Sequence, residues 1–281
     1  GEPYETGDRF TQPDLAATLE RIKLAGKKGF YAGETADLIV AEMKNGGGII
    51  SISDLEDYES KWRKPIMGDY RGYKLVSMPP PSSGGVLLVQ MLNMLEPYDL
   101  GELGVGSSEV IHLMIEAERR AYADRAEHLG DSDFYDVPIE RLISKDYARE
   151  RFLDFDPNKA SVSADIFAGS AAREGLETTH ASVIDAMGNA VAYTTTLNLS
   201  YGSKIVVRGA GFLLNNEMDD FSAKENSPNA FGLLGREANA IEPGKRMLSS
   251  MTPTIILKNE QPLLVTGSPG GSTIITTVLQ I

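Results

Sequence analysis

Cysteine is absent from this 281-residue chain, which excludes disulfide bridges, thiolate nucleophiles and thiolate metal ligands together. Only three histidines occur, at His112, His128 and His180, and so small a number argues against a histidine-rich metal centre. We therefore expect neither a metal ion nor another cofactor. The lack of cysteine is compatible with an exported bacterial protein but does not demonstrate export.

Positive charge is also scarce. Lysine and arginine number 27 against 40 acidic residues, so the formal net charge is −13 and no overall field attracts nucleic acid or anionic lipid. We expect no nucleic-acid partner, and an acidic substrate needs a local basic or amide-rich pocket. No run of about 18 apolar residues marks a membrane span, and no basic-then-apolar signal opens the chain.

The residues that are present describe an ordinary globular protein, with 42% hydrophobic residues and enough length to bury a substantial core. Apolar residues recur every three or four positions in the first part and every second position after residue 178, which predicts an α+β protein. The predicted helices are 14–25, 33–44, 86–95 and 108–129, and the predicted strands include 179–185 and 190–197 joined as a hairpin.

Some local features have competing interpretations. Ser53 and Glu56 fit a helix-capping box, and the Pro79–Gly85 segment fits a structural entry to the next helix better than a phosphate loop. The charges of the 108–129 helix suggest a solvated face with ion pairs rather than a metal or acid–base site; they are Glu116, Glu118, Arg119, Arg120, Asp124 and Arg125. The polar stretch from residue 160 to 177 reads as an exposed, flexible linker.

Thr178 is the candidate nucleophile. A threonine hydroxyl needs an adjacent base, and the most compact one is the residue's own α-amine, freed when the Glu177–Thr178 bond breaks. That amine has a pKa of roughly 7.7 to 8.0, so part of it accepts protons near neutral pH. Taken alone, a Thr-Thr pair at a strand start indicates only β propensity. The residues that follow it change that interpretation.

Together these residues resemble the γ-glutamyltransferase family of N-terminal nucleophile hydrolases, over nearly the whole chain. The matching motifs are Thr178-Thr179-His180, Thr194-Thr195-Thr196-Leu197-Asn198, Leu214-Asn215-Asn216-Glu217-Met218-Asp219-Asp220-Phe221, Lys245-Arg246-Met247-Leu248-Ser249-Ser250-Met251 and Gly267-Ser268-Pro269-Gly270-Gly271. Upstream, Pro79–Gly85 and Ala121-Tyr122-Ala123-Asp124-Arg125 are similar to family signatures. The resemblance implies the family's αββα sandwich, incomplete in this chain.

The resemblance also implies a role for each matching residue. Thr178 is then the nucleophile, first in cutting the Glu177–Thr178 bond and then in forming the acyl-enzyme. The implied partners are Thr196, which holds the Thr178 hydroxyl or amine; Asn198, Glu217 and Asp220, which receive the donor's α-amino and neighbouring groups; Ser249 and Ser250, which bind its α-carboxylate; and Gly270 and Gly271, whose amides stabilise the oxyanion. The alternative for each polar residue is a turn or capping role, above all for Ser249, and His180 is interpreted as structural.

Phe231 is implied to belong to a lid over the pocket, since relatives with such a lid carry an aromatic residue at the matching place. The alternative is a proline- and glycine-containing loop packed by one aromatic side chain. The activity that the resemblance implies is γ-glutamyl transfer or hydrolysis of a small-molecule substrate, glutathione or a related amide, with water or an amino acid as acceptor. Two alternatives stay open: an acylase of glutaryl or cephalosporin-type amides, and an inactive module that binds amino acids or a partner.

The implied precursor supplies a large and a small subunit, so residues 1–177 correspond to the end of the large subunit and residues 178–281 to the start of the small one. A complete member carries an upstream arginine that grips the donor carboxylate and continues past Ile281, so the chain resembles a fragment. A periplasmic or extracellular location is expected from the family. We expect the fragment itself to remain uncut and inactive, because the missing segments would normally pack around the cleavage site and hold its geometry. Misplacement of the reacting groups by about 1 Å costs on the order of a hundredfold in rate.

Overall fold

The computed structural model describes residues 3–162, 166, 178–222, 233 and 235–281. Its contacts divide the chain into two compact units. The first comprises Gly1–Trp62 and Tyr201–Asn215, and the second comprises Arg63–Ser200 and Asn216–Ile281. Every described residue with a predicted role in the site belongs to the second unit.

The first unit is built from helices α1 (Pro13–Ala25), α2 (Lys28–Tyr31), α3 (Gly33–Gly46) and α4 (Ile52–Glu56). Ile39 of α3 is buried against Val207 and Ala210, so the 201–215 segment completes this small core. The predicted capping box of α4 is wrong by two residues. Ser51 caps the helix and Asp54 reaches back to its backbone, because the chain enters the helix two residues earlier than the Ser53–Glu56 pattern indicated.

The second unit combines helices with two antiparallel sheets. Its helices are α5 (Gly84–Leu95), α6 (Leu100–Leu103), α7 (Ser108–His128), α8 (Ile139–Leu142), α9 (Lys145–Arg151) and α10 (Ile274–Gln280). Its strands are β1 (Ile66–Tyr70), β2 (Tyr73–Ser77), β3 (Thr178–Ile184), β4 (Ala190–Thr196), β5 (Thr254–Lys258) and β6 (Gln261–Thr266). The α+β class predicted from the periodicity is therefore observed.

Helix α5 is the centre of the second unit. Its side chains are apolar around almost the whole circumference, and all but one of its positions are buried, as expected of a helix surrounded by other elements. Val86, Leu87 and Met91 pack in one core cluster with Leu113 of α7 and Ile275 of α10. Leu88 lies in a second cluster with the buried side chains Leu75 of β2 and Ile274 of α10. The two faces of α5 thus join the sheet to the helical layer.

The larger sheet has the strand order β1-β2-β5-β6, and every neighbouring pair is antiparallel. Leu75 of β2 lies opposite Ile256 of β5. Strands β1 and β2 precede residue 178, whereas β5 and β6 follow it. After a cut at Glu177–Thr178, each of the two polypeptides would therefore contribute two neighbouring strands to this sheet.

Strands β3 and β4 form the predicted hairpin, in which Thr178 lies opposite Thr196 and His180 opposite Thr194. Its turn is closed by Asp185, whose carboxylate accepts hydrogen bonds from the Met187 and Asn189 backbone at 2.9 Å each. Within the described residues the hairpin forms its own two-stranded sheet. The hairpin lies beside β6, and the His180 ring fills the space over Gly267 at which a side chain would begin.

The interpretation of the α7 charges as a solvated face is wrong. Glu116 and Arg120 are each 1% exposed, and Asp124 and Arg125 are also buried. The expected i,i+4 pair exists, with 2.6 Å between Arg120 Nη1 and Glu116 Oε2, but it is buried. Ion pairs at helical spacing occur on exposed and buried faces alike, so spacing alone could not distinguish the two.

In the part of the chain that the structure describes, no helix is long and apolar enough to cross a bilayer.

Candidate active site

Thr178 and Thr196 face each other where the hairpin ends. Thr178 is the first residue of β3 and Thr196 the last of β4, so strand register places them as direct partners. The Thr178 hydroxyl donates to Thr196 Oγ1 at 3.3 Å, and the backbone N–H of Asn198 donates to the same oxygen at 2.9 Å. The Thr196 hydroxyl is thus held from both sides and fixes the position of the Thr178 oxygen.

Asn198 is buried and adopts a left-handed backbone conformation, with φ of 72°. Asparagine tolerates this conformation better than most residues. Its side-chain amide donates to the Asn216 carbonyl at 3.1 Å, and the Asn216 side chain accepts from the Leu199 backbone at 3.0 Å. These bonds tie the end of β4 to the 3-10 turn Glu217–Asp220 that follows Asn216.

The Glu217–Asp220 turn carries three carboxylates, of which those of Glu217 and Asp220 interact electrostatically. Burial, together with the nearby negative charge of Asp220, raises the pKa of Glu217 to about 7. A cation next to this pair would reverse both effects by stabilising the ionised form. The turn is accordingly suited to receive an ammonium group.

Ser249 and Ser250 are held by the Pro79–Gly85 segment. The Ser83 N–H donates to the Ser249 carbonyl, and the Ser249 N–H donates to the Pro81 carbonyl, at 2.9 Å each. The Ser82 hydroxyl also donates to the Met251 carbonyl at 2.7 Å. The segment read as a helix entry therefore also positions the serine pair.

Gly270 and Gly271 form the backbone at the start of α10, with φ of 130° and 54°. Both values lie where side chains are strained, so glycine is required. Gly271 begins a 3-10 turn that leads into α10. Among the described residues the two backbone N–H groups have no protein acceptor. They can therefore donate to an oxyanion, as amides at a helix start commonly do.

One pocket collects most of the predicted site. Its lining includes Thr178, Thr196, Asn198, Asp220, Ser249, Ser250 and Gly271, together with Leu233, Met251, Ser272 and Ile274. Its volume is about 20 Å³, room for about one water molecule, so a ligand of amino-acid size needs it to open. Glu217 and Gly270 adjoin these residues in the chain but do not line the pocket. Glu177 and Phe231 lie outside the described residues.

A second, larger cavity of about 480 Å³ opens beside the same nucleophile. It is lined by Thr178, Thr179, Thr195, Thr196, Leu197, Leu199 and Ser200. Thr178 and Thr196 are common to both cavities, so the candidate nucleophile lies between them.

The His180 ring forms hydrogen bonds with other side chains of the hairpin. Its Nδ1 is 2.7 Å from Thr194 Oγ1 and its Nε2 is 2.9 Å from Ser182 Oγ. Burial lowers the pKa of His180, which favours the neutral ring. Among the described residues no group of three or more histidine or acidic side chains is arranged to hold a metal ion.

Sequence reasoning missed Arg125 and Ser83. Arg125 Nε donates to Ser83 Oγ at 3.0 Å and Nη2 donates to Ser250 Oγ at 3.2 Å. Both residues lie in the upstream motifs that resembled family signatures. That resemblance was the available signal, but it assigned them no role.

Comparisons with known proteins agree with this geometry. The sequence profile of the Gamma-glutamyltranspeptidase family matches residues 1–281. The chain is 52% identical to the glutathione hydrolase proenzyme of Escherichia coli over all of this chain and 49% of that protein. It is 40% identical to the Acylase ACY 1 proenzyme of a Pseudomonas species over all of this chain and 48% of that one. The chain thus spans about half the length of these curated relatives.

The fold agrees as well. The structure resembles that of cephalosporin acylase from Bacillus halodurans with a TM-score of 0.81 and 26% identity, covering 98% of this chain and 47% of the other. This similarity confirms the α+β N-terminal nucleophile hydrolase fold predicted from the sequence, of which the chain supplies a part. The chain belongs to the γ-glutamyltranspeptidase family.

Proposed function

We propose that the protein to which this chain belongs transfers the γ-glutamyl group of glutathione or a related amide to water or an amino acid. The supporting observation is the pocket in which Thr178 and Thr196 lie together with Asp220, Ser249 and Ser250. A γ-glutamyl group ends in an ammonium and a carboxylate. Carboxylates suit the first and hydroxyls suit the second.

The reaction begins at the Thr178 hydroxyl. Its oxygen attacks the γ-carbonyl carbon of the donor while the α-amine of Thr178 takes the hydroxyl proton. Thr196 keeps the attacking oxygen in place, and the N–H groups of Gly270 and Gly271 stabilise the oxyanion. Loss of one such donor typically costs roughly 2.7 to 4 kcal/mol.

The intermediate then collapses. The bond between the carbonyl carbon and the leaving nitrogen breaks, the amine passes its proton to that nitrogen, and an ester on Thr178 remains. Water or an acceptor amine attacks this ester and restores the free hydroxyl. In hydrolysis the products are glutamate and the released amine, for glutathione cysteinylglycine.

This chemistry requires a free Thr178 α-amine. We propose that a single precursor supplies two subunits by cleavage at Glu177–Thr178, with Thr178 as the nucleophile of that step too. The E. coli and Pseudomonas relatives are both named proenzymes. A periplasmic or extracellular location is part of the same proposal and is tested by fractionating cells that produce the protein.

An acylase activity is the second candidate, because the same nucleophile and oxyanion donors serve any acyl transfer. It is favoured by the similarity to the Acylase ACY 1 proenzyme and to a cephalosporin acylase. A glutaryl group has the same terminal carboxylate as a γ-glutamyl group and lacks only the α-ammonium. The acidic Glu217–Asp220 turn, with Asp220 in the pocket lining, offers a partner for that ammonium and favours the γ-glutamyl donor here.

The experiment compares the two donors directly. The protein is produced at the full length of its relatives, its new N-terminus at Thr178 is verified by mass spectrometry, and turnover of glutathione is measured beside that of a glutaryl amide. We expect a higher kcat/KM for glutathione and no turnover by Thr178→Ala. A preference for the glutaryl amide would establish the acylase. Binding of glutamate without any amide hydrolysis would establish a non-catalytic module.

A further inference from the structure

Arg125 is a buried cation directly behind the serine pair. It lies on α7 and is 5% exposed. Its guanidinium donates to Ser83 Oγ at 3.0 Å through Nε and to Ser250 Oγ at 3.2 Å through Nη2. One side chain therefore contacts both the loop that supports the pocket and a serine that lines it.

The charge of Arg125 is not neutralised by direct contact with a described carboxylate. Within the described part of the chain no acidic oxygen lies within 4.0 Å of its guanidinium. The contrast with the same helix is clear, because Arg120 pairs with Glu116 at 2.6 Å and with Asp154 at 2.7 Å. A buried charge without a close counterion is costly. Its retention next to Ser250 points to an anion delivered by a ligand.

The two serine hydroxyls are oriented by this contact. A guanidinium only donates hydrogen bonds, so the oxygens of Ser83 and Ser250 must accept from it. Ser83 then donates its own proton to the Ser249 carbonyl, at 2.8 Å. Ser250 likewise has its proton available for an acceptor in the pocket that it lines. Arg125 thus reaches Ser250 through its side chain and Ser249 through its backbone.

Two charges of opposite sign lie near the pocket: Asp220 lines it, and Arg125 donates to Ser250, which also lines it. Asp220 lines the pocket, and its negative charge favours the charged form of Arg125, although burial lowers the pKa of Arg125. An amino-acid head group carries the complementary pair of charges. Its carboxylate would be attracted towards Arg125 and its ammonium towards the Glu217–Asp220 turn.

We propose that Arg125 is a positioning residue that sets the affinity of the pocket for the donor's α-carboxylate by acting through Ser250 and Ser83. This inference rests on the proposed γ-glutamyl specificity. Arg125 does not touch the donor; it fixes the hydroxyl that does and supplies the positive potential behind it. Its contribution is to binding rather than to the chemical step.

The test uses the full-length, cleaved protein and two chromogenic donors. One is γ-glutamyl-p-nitroanilide, and the other is 4-aminobutanoyl-p-nitroanilide, which lacks only the α-carboxylate. Arg125→Gln is expected to raise KM for the first donor roughly 10- to 100-fold, as for the loss of a charged hydrogen bond, with kcat little changed. KM for the second donor should stay the same. Arg125→Lys keeps the charge and should restore part of the affinity.

A double-mutant cycle tests whether the effect passes through Ser250. We expect Arg125→Gln combined with Ser250→Ala to raise KM for the γ-glutamyl donor no more than the larger single change does. Arg120→Gln is the matched control for loss of a buried arginine on the same helix. It should lower Tm while leaving the ratio of the two KM values unchanged.

Several results would overturn the inference: an equal rise in KM for both donors, a fall in kcat alone, or fully additive effects in the cycle. If Arg125→Gln does not fold, Arg125→Lys and Ser83→Ala provide the same comparison of donors. If the unmodified protein turns over no γ-glutamyl donor, the proposed function fails separately. The role of Arg125 is then decided by calorimetry with glutamate and 4-aminobutanoate, where only glutamate binding should weaken in the variant.

Discussion

Glu217 illustrates how one residue links the site to pH. Burial and Asp220 raise the pKa of its carboxyl to about 7, so near neutrality a large share of it is uncharged. An uncharged acid attracts a donor ammonium much less than a carboxylate does. Binding of the donor should therefore strengthen as Glu217 ionises.

We predict that KM for a γ-glutamyl donor falls as pH rises through about 7. Below that pH Glu217 is protonated and the ammonium loses one of its charged partners. The measurement is kcat and KM from pH 5.5 to 8.5 for the unmodified protein and for Glu217→Gln. The variant should lose the KM transition but keep the change in kcat that comes from the Thr178 amine. A KM transition that persists in the variant would contradict the assignment.

The folding stability should change with pH in the direction opposite to donor binding. Because the folded-state pKa of Glu217 lies above its unfolded value, the neutral form favours folding. This contribution is complete below the unfolded pKa and is lost as pH rises through about 7. We predict that Glu217→Gln raises the unfolding free energy at pH 8 by no more than about 3 kcal/mol, and so raises Tm at that pH. At pH 5 the substitution should change Tm little. Thermal unfolding at both pH values checks the sign.

Thr196 offers a test of the hydroxyl pair. Thr196→Val keeps the shape but removes the oxygen that accepts the Thr178 hydroxyl at 3.3 Å. We predict a fall in kcat of roughly 10- to 100-fold, equivalent to about 1 to 3 kcal/mol for a lost partner of a buried polar group. Thr196→Ser retains the oxygen and should stay close to the unmodified protein. A loss of activity in Thr196→Ser but not in Thr196→Val would show instead that the methyl group of Thr196 matters and its hydroxyl does not.

The sequence predicted the residues of the pocket better than it predicted what holds them. Thr178, Thr196 and Ser250 could be placed because each stands in a short motif that resembles the family. Arg125 could not, since its contact with Ser250 joins positions 125 residues apart and its charge pattern also fits an exposed helix. The roles of the site residues remain predictions until the variants are measured.

At the scale of elements, the Pro79–Gly85 segment is a support for the serine pair as well as a helix entry. A methyl group on Gly84 would come within 2.4 Å of Thr252 Oγ1 and 2.5 Å of the Met251 carbonyl. Neither distance is possible for a real Cβ atom. The segment and the 249–252 segment therefore pack too closely for any other residue at this position.

We predict that Gly84→Ala lowers the unfolding free energy by about 1 to 3 kcal/mol, the usual cost of overpacking. Because the displaced backbone carries Ser249 and Ser250, KM for the donor should rise as well. Gly46→Ala is the matched control: it also lies in a helix but meets nothing within 4 Å, so it should be neutral or slightly stabilising. Urea unfolding of both variants tests this. Equal stability of the two would disprove the close packing.

The elements themselves were largely predictable where one period dominated. Helices α1, α3 and α7 and the β3–β4 hairpin lie within one or two residues of their predicted bounds. The wrong predictions concern the surroundings of individual residues and not the type of secondary structure. The capping box was misplaced because Ser51 and Ser53 are both good caps, and the α7 charges were misassigned because burial depends on neighbours distant in sequence.

At the scale of the whole molecule, the proposed cut at residue 178 falls between strands that share one sheet. Strand β2 precedes the cut and pairs along its length with β5, which follows it; Ser77 and Thr254 also share a side-chain hydrogen bond of 2.9 Å. The division into 1–177 and 178–281 stays a prediction about polypeptides. The boundary between them falls inside the second unit and not between the two units.

We therefore predict that cleavage leaves the two polypeptides associated. In the full-length protein they should elute together in size-exclusion chromatography and separate only under denaturing conditions, while Thr178→Ala should stay a single polypeptide. Leu75→Ala removes a buried side chain opposite Ile256 and should lower the unfolding free energy by about 2 to 5 kcal/mol. The two polypeptides should then separate at a lower urea concentration. Leu24→Ala, at an exposed position of α1, should not lower it. Dissociation of the cleaved protein without denaturant would show that the β2–β5 ladder does not hold the pieces together.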